Sequence, residues 1–85
     1  MAETSQLRTL RIPCAQPPLA EKFAAYLRSE GIDVDGTEGR EVLIPWGGNV
    51  RFALDVAEVA FDGGYANDGE PMAAAIRQVE EVSRG

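Results

Sequence analysis

Two aspartates, Asp33 and Asp35, are the first residues in this sequence whose spacing suggests chemistry. They have the one-and-three spacing of the ligands that open a calcium-binding loop. The rest of such a loop does not follow, because Glu38 stands where glycine is required and Ile44 stands where a bidentate glutamate is required. We therefore expect no metal here and interpret both aspartates as solvent-facing strand residues.

A second polar group surrounds the glycine-rich segment 63–69 and comprises Asp62, Asn67, Asp68 and Glu70. The oxygen atoms of these side chains could bind a hard cation loosely. Turn-forming residues, followed by an acid at the start of a helix, account for the same residues without a ligand, since such an acid complements the helix dipole. We favour the turn interpretation and predict neither a metal nor a cofactor.

Nucleophilic catalysis lacks its usual base in this chain, which contains one cysteine and no histidine. Cys14 therefore has no imidazole partner, and a serine hydrolase triad is excluded for the same reason. Neither Gly47-Gly48 nor Gly63-Gly64 is followed by the lysine and hydroxyl residue of a phosphate-binding loop. The sequence thus predicts a protein that is not an enzyme, with Cys14 buried and inert.

The remaining candidates are residues that could contact another protein. Trp46 follows a proline at the end of a predicted strand, where a tryptophan is either a core residue or a binding anchor. Tyr65 lies in a predicted loop, where packing explains an aromatic ring less readily. If residues 49–62 are helical, charged side chains form one stripe along that helix. The predicted partner-binding residues are Trp46, Arg51, Asp55, Glu58, Asp62 and Tyr65.

The net charge of −6 limits the kind of partner. It opposes direct binding to nucleic acids and anionic membranes, which are themselves polyanions, and it favours a basic protein. The sequence shows no basic leader followed by an apolar run, no segment able to span a bilayer, and only one cysteine. We therefore expect a cytoplasmic protein whose partner is another protein or a second copy of itself.

The elements that must position these residues begin with a strand, predicted over residues 6–14 after a frayed segment, residues 1–5. Leu10, Ile12 and Cys14 alternate onto one face of this strand. A helix is predicted next, because prolines are tolerated in a first helical turn.

This helix begins at Pro17 and ends before Gly31, which suits a left-handed terminating residue. In that ending, Ile32 would pack back on Leu27. The predicted apolar stripe of the helix comprises Leu19, Phe23, Tyr26 and Leu27.

A hairpin is predicted over residues 31–48, around which the rest of the chain is organised. Its first strand carries Ile32 and Val34 on one face, and its second strand is the apolar run 41–46. Residues 36–39 are predicted to form the turn, because they include two glycines and other turn formers.

The segment 49–62 fits two patterns. Alternating apolar residues over 50–56 suit a return strand that pairs with residues 41–46, which would give a four-stranded sheet. A helix is favoured by the length of the segment and its alanine content, with Asn49 as the N-cap and Gly63 as the terminator.

A last helix is predicted from Pro71 to about Ser83, and its apolar stripe comprises Met72, Ala75, Ile76, Val79 and Val82. The predicted order is strand, helix, strand, strand, helix, helix, within one domain over residues 6–84. A right-handed crossover would place the third strand between the first two. The fold class is α+β, a small two-layer domain with a three-stranded antiparallel sheet and helices on one face. This topology resembles the first part of a ferredoxin-like sandwich, a resemblance that implies no function.

The sequence thus predicts a small acidic module that acts by protein–protein contact, alone or as a homodimer. Two alternatives remain open. An acidic inhibitor or nucleic-acid mimic would occupy the basic groove of a protein that handles nucleic acids. A pocket between the last two helices and the sheet, near Tyr65, Asn67 and Asp68, would instead indicate a small-ligand-binding domain or an enzyme.

Overall fold

The computed structural model describes residues 8–84, which form three strands and three helices. The strands make one antiparallel sheet in the order β1-β3-β2, so the predicted α+β class, element order and central third strand are confirmed. The predicted frayed segment 1–5 and the first two residues of the predicted first strand lie outside the described residues. The elements are β1 (Arg8–Pro13), α1 (Pro17–Ser29), β2 (Gly36–Glu38), β3 (Glu41–Trp46), α2 (Val50–Asp62) and α3 (Glu70–Arg84).

One face of the sheet forms the floor of the core. In the β1–β3 register, Leu10 lies opposite Ile44 and Ile12 lies opposite Val42, and all four side chains are fully buried. Cys14 continues the apolar side of β1 and is also buried, as its alternation predicts. Above this floor, α1 contacts β2 and β3 while α2 contacts β1.

Helix α1 ends as its sequence predicts. Gly31 has φ +84°, its N–H donates to the Arg28 carbonyl, and the N–H of Ile32 donates to the Leu27 carbonyl, each at 3.0 Å. This is the pair of bonds that defines a Schellman motif. The predicted stripe is correct at Phe23 and Leu27, which are buried together with Ala20 and Ala24, whereas Leu19 is half-buried and Tyr26 is 39% exposed.

The predicted position of the hairpin turn is wrong. Residues 36–38 are strand β2, and the turn is Gly39-Arg40, with φ +62° at Gly39 as a type II′ turn requires. The pairing of β2 with β3 stops early because Pro45 has no N–H to donate. The last bond between the two segments runs from the Asp35 N–H to the Leu43 carbonyl (2.8 Å). Pro45, two residues after Leu43, also faces β2 but has no N–H for the next bond. Ile32 and Val34, predicted in the first strand of the hairpin, therefore lie outside the sheet and are half-buried, while Asp33 and Asp35 are exposed.

The segment 49–62 is a helix, as favoured, and the strand alternative is wrong. The Asn49 side chain accepts a hydrogen bond from the Phe52 N–H at 2.8 Å, which confirms the predicted N-cap. Gly63 is the C-cap with φ −81°, whereas the left-handed residue is Gly64 with φ +77°. The N–H of Tyr65 donates to the Ala60 carbonyl at 3.0 Å, so α2 also ends in a Schellman motif.

Helix α3 packs on α2 and runs along the outer edge of β1. A fourth strand would pair with that edge in a ferredoxin-like sandwich, so α3 takes its place. The Gln78 side chain completes the edge: its Oε1 accepts from the Arg11 N–H (2.9 Å) and its Nε2 donates to the Arg11 carbonyl (2.8 Å). The buried residues of α3 are Pro71, Ala74 and Ala75, whereas Ile76 of the predicted stripe is 44% exposed.

Candidate functional site

The four charged residues predicted to face a partner all lie on the exposed side of α2. Arg51, Asp55, Glu58 and Asp62 are exposed and follow one another along the helix. Arg51 Nε lies 3.5 Å from Asp55 Oδ1, an i,i+4 ion pair between side chains that are 85% and 59% exposed. Such a pair contributes little to stability in water, so both groups can be used by a partner.

Trp46 is a core residue, which is one of the two roles that the sequence leaves open for it, and its contact with a partner stays a prediction. The residue is 2% exposed, and its indole Nε1 donates to the Asn49 carbonyl at 2.9 Å. The register places it at the end of the buried face of β3. The ring therefore joins β3 to the first turn of α2.

Tyr65 lies between α1 and α2. Its ring centroid is 5.0 Å from that of Phe23 and 6.3 Å from that of Tyr26, and its carbonyl accepts from the Ala15 N–H at 2.9 Å. The Schellman ending of α2 directs Tyr65 toward α1, since the residue after the left-handed glycine folds back on the helix. This explains an aromatic ring in a loop, and the ring stays half-exposed.

Helices α1 and α2 make little direct contact, and depressions remain along the side of α2 that faces α1 and the end of β3. One, of about 370 Å³, has Tyr65 and Val59 in its lining, and the other, of about 570 Å³, has Phe52. Phe52 and Val59 are seven residues apart, hence about 10 Å along one side of α2. We call these two depressions the α2 groove; its main lining residues are Tyr26, Val59, Asp62 and Tyr65 at one end and Trp46, Arg51, Phe52 and Asp55 at the other.

The structure thus brings Asp62 together with Tyr65, and Asp55 together with Arg51, while Glu58 lies outside both depressions. The sequence interpretation missed the apolar residues of the groove, Tyr26, Phe52 and Val59. Phe52 and Val59 carried a signal, because a seven-residue spacing puts them on one side of a helix. That signal becomes readable only after the segment is assigned as helix.

The described residues contain no group of three or more acidic, cysteine or histidine side chains that could hold a metal ion. Asn67 and Asp68 do not line the depression at Tyr65. The Asn67 carbonyl accepts from the Glu70 N–H at 3.1 Å, as in a turn that leads into α3. Burial raises the pKa of the Cys14 thiol to about 11, although nearby Arg40 acts in the opposite direction. The thiol is therefore protonated, and a weak nucleophile, near neutral pH.

Two arginines on the other side of the sheet are paired with carboxylates. The Arg11 guanidinium lies 2.7 Å from Glu38 and 3.0 Å from Glu41, so the open face is crosslinked across all three strands. Arg40 lies 3.1 Å from Glu70 and donates to the Cys14 carbonyl at 2.7 Å. Hydrogen bonds to these carboxylates raise the pKa of both guanidiniums. These groups position β2 and α3 and leave the α2 groove as the candidate site.

No family model, curated protein or solved structure matches this chain. Within residues 8–84, none of the helices combines the length and apolar character needed to cross a bilayer.

Gly63 shapes the groove by leaving room for the Tyr65 ring. A Cβ atom at Gly63 would lie 2.6 Å from Tyr65 Cε2 and 3.1 Å from the Val59 carbonyl oxygen. Gly63→Ala should therefore displace the ring from Phe23 and lower the free energy of unfolding by about 1–2 kcal/mol. Urea unfolding measures the loss of stability, and nuclear Overhauser contacts between Tyr65 and Phe23 report the position of the Tyr65 ring.

Gly69→Ala is the matched control for this prediction, because a Cβ there meets no atom within 4 Å. Its stability should change by less than about 0.5 kcal/mol. Equal losses in the two variants, or intact Tyr65–Phe23 contacts in Gly63→Ala, would show that Tyr65 does not pack against Gly63.

Proposed function

We propose that this protein is a non-enzymatic binding module, acting in the cytoplasm, which holds a basic amphipathic helix of another protein in the α2 groove. The observation that carries this proposal is the pairing of apolar and acidic residues in the groove. Each depression has apolar lining residues and an exposed aspartate: Asp62 at one end, and at the other Asp55, which Arg51 faces at 3.5 Å. A partner would therefore need apolar side chains and basic side chains in a repeating arrangement.

The spacing of the depressions fits a helix. Side chains seven residues apart on a partner helix are separated by about 10 Å, which is the separation of Phe52 and Val59 along α2. Helices that bind in grooves use such anchors at i, i+3 or i+4, and i+7. Extended peptides would project successive side chains to opposite sides and would fill the two depressions less well.

The charge of the chain supports a basic partner. Asp55 and Asp62 lie on the exposed stripe of α2, in a chain of net charge −6. Opposite charge on a partner accelerates association and fixes its direction along the groove, and salt screens this attraction. A nucleic-acid mimic would use charge alone, so the apolar linings favour helix binding over that alternative.

The test is titration of the ¹⁵N-labelled chain with a lysine-rich helical peptide that carries leucines at i, i+3 and i+7. Amide shifts should concentrate at Tyr26, Phe52, Val59 and Tyr65. A peptide of the same composition with scrambled leucines should bind at least about tenfold more weakly, because it cannot fill both depressions. Shifts centred elsewhere, or equal binding of the scrambled peptide, would refute the proposal.

A charge-matched pair of variants isolates the role of the aspartates. The double variant Asp55→Lys, Asp62→Lys should bind the peptide about tenfold or more weakly than the wild type. Asp33→Lys with Asp35→Lys changes the net charge equally at exposed residues outside the groove, and should have a smaller effect. If both double variants weaken binding equally, the attraction is due to net charge and the groove is not the site.

A further inference from the structure

Three aspartates in this chain directly precede a glycine: Asp35, Asp62 and Asp68. In such a pair the glycine nitrogen can attack the aspartate side chain, because glycine carries no side chain that would hinder the approach. All three aspartates are exposed, so access to water does not distinguish them. They differ in the peptide unit between aspartate and glycine, which must turn before the nitrogen can reach the side chain.

Hydrogen bonds hold the backbone at two of these three pairs. The Gly63 N–H donates to the Val59 carbonyl at 2.9 Å, as part of the Schellman ending of α2. Gly36 lies opposite Leu43 in the pairing of β2 with β3, and the N–H of Asp35 donates to the Leu43 carbonyl at 2.8 Å. In both places the peptide unit can turn only after a helix end or a strand pair has opened, and such local opening costs free energy.

The peptide unit between Asp68 and Gly69 is not held in this way. Within residues 8–84, no backbone acceptor pairs with the Gly69 N–H and no backbone donor pairs with the Asp68 carbonyl. The turn around this unit is closed by the bond from the Glu70 N–H to the Asn67 carbonyl, at 3.1 Å. Asp68 also has φ +37°, a left-handed conformation that is unfavourable for a residue with a side chain. This peptide unit therefore turns most easily of the three.

We propose that Asp68 isomerises spontaneously to isoaspartate, which makes the loop between α2 and α3 a substrate for a carboxyl methyltransferase that recognises isoaspartate. The Gly69 nitrogen forms a bond with Cγ of the protonated Asp68 carboxyl, and the hydroxyl leaves as water with the amide proton. Water then opens the five-membered imide at either carbonyl. Opening at the main-chain carbonyl leaves Gly69 joined to Cγ and frees the α-carboxylate, whereas opening at Cγ restores aspartate. No atom is gained or lost overall, and no oxidant or reductant is needed.

Isomerisation changes the start of α3. The new linkage runs through Cβ and Cγ of residue 68, so the backbone gains one atom inside the turn. The bond from the Glu70 N–H to the Asn67 carbonyl spans this residue and should be lost. Glu70 also lies 3.1 Å from Arg40, so the contact between the start of α3 and the hairpin should loosen as well. Asp68 does not line the α2 groove, so this proposal and the proposed function can fail separately.

The test is incubation of the full chain in neutral buffer for several weeks, followed by labelling with an isoaspartyl methyltransferase and radioactive S-adenosylmethionine. Peptide mapping should place the label at residue 68, at least about tenfold above residues 35 and 62, because those two sites must first open. In guanidinium chloride the three sites should react at similar rates. Equal labelling of the three sites in the folded chain, or labelling of residue 68 only after unfolding, would overturn the proposal.

Gly69→Ala is the matched variant for the chemistry. Its methyl group meets no atom within 4 Å but hinders attack by the nitrogen, so the fold should persist while most of the label at residue 68 disappears. Deamidation of the neighbouring Asn67 raises the peptide mass, whereas isomerisation leaves it unchanged, so mass spectrometry separates the two reactions. In the purified isomerised chain the Glu70 amide should exchange faster than in the fresh chain. Full labelling of Gly69→Ala would overturn the proposal, and unchanged exchange at Glu70 would contradict the predicted loosening of α3.

Discussion

Replacing Trp46 with alanine should lower the free energy of unfolding by about 3–5 kcal/mol. The residue is 2% exposed and closes the end of the core between β3 and α2. Its removal leaves a cavity and also ends the hydrogen bond from Nε1 to the Asn49 carbonyl. A domain of this size has a total stability of only roughly 4–13 kcal/mol. The variant should therefore be largely destabilised, which urea unfolding followed by circular dichroism would show.

Trp46→Phe separates the two contributions of the side chain. Phenylalanine keeps most of the apolar volume but cannot donate to the Asn49 carbonyl, which also accepts from the Ala53 N–H at 3.2 Å. A loss of about 1–2 kcal/mol is expected, smaller than that of the alanine variant. If Trp46→Ala cost less than about 1 kcal/mol, the ring would not contribute to the core.

The sequence leaves the role of Trp46 open for a physical reason that applies to the whole hairpin. Alternation along β3 correctly groups Val42, Ile44 and Trp46 on one side, but it cannot say how far a helix covers that side. The coverage depends on α2, whose start is set by the Asn49 cap only three residues later. Sequence therefore determines the direction of the ring, while its burial follows from tertiary packing.

Local rules succeed where a single residue decides the conformation. The Schellman ending at Gly31, the cap at Asn49 and the alternation in β1 depend on neighbouring residues only, and all are confirmed. The position of the turn between β2 and β3 was predicted wrongly because either of two glycines, Gly36 and Gly39, could have formed it. The choice is made by the strand pairing with β3, which no local pattern contains.

The candidate site shows the same division. The acidic stripe of α2 could be predicted because helical periodicity alone defines it. The groove beside it could not, since its linings come from α1, α2 and the loop after α2, and Tyr65 reaches α1 through a backbone turn. The contacts of α3 could not be predicted either, because Gln78 forms a hydrogen bond with Arg11, which lies 67 positions away in the sequence.

Replacing Gln78 with alanine should lower the free energy of unfolding by about 1–3 kcal/mol, because it exposes the edge of β1. The Gln78 amide satisfies both backbone groups of Arg11 that point away from β3, and its Nε2 also donates to the Ala74 carbonyl at 3.0 Å. Without it, the Arg11 N–H and carbonyl have no strand partner on that side.

Hydrogen exchange distinguishes this role from general helix stability. The Arg11 amide should exchange faster in Gln78→Ala than in the wild type. Gln78→Glu should also lose the hydrogen bond to the Arg11 carbonyl, since a carboxylate cannot donate to it. Arg77→Ala, at an exposed position of the same helix, should change stability by less than about 0.5 kcal/mol. If the Arg11 amide exchanged at the wild-type rate in Gln78→Ala, the amide pair would not protect the edge. Faster exchange confined to Arg11 would instead establish that α3 closes the sheet where a ferredoxin-like sandwich has its fourth strand, with one side chain taking over backbone pairing.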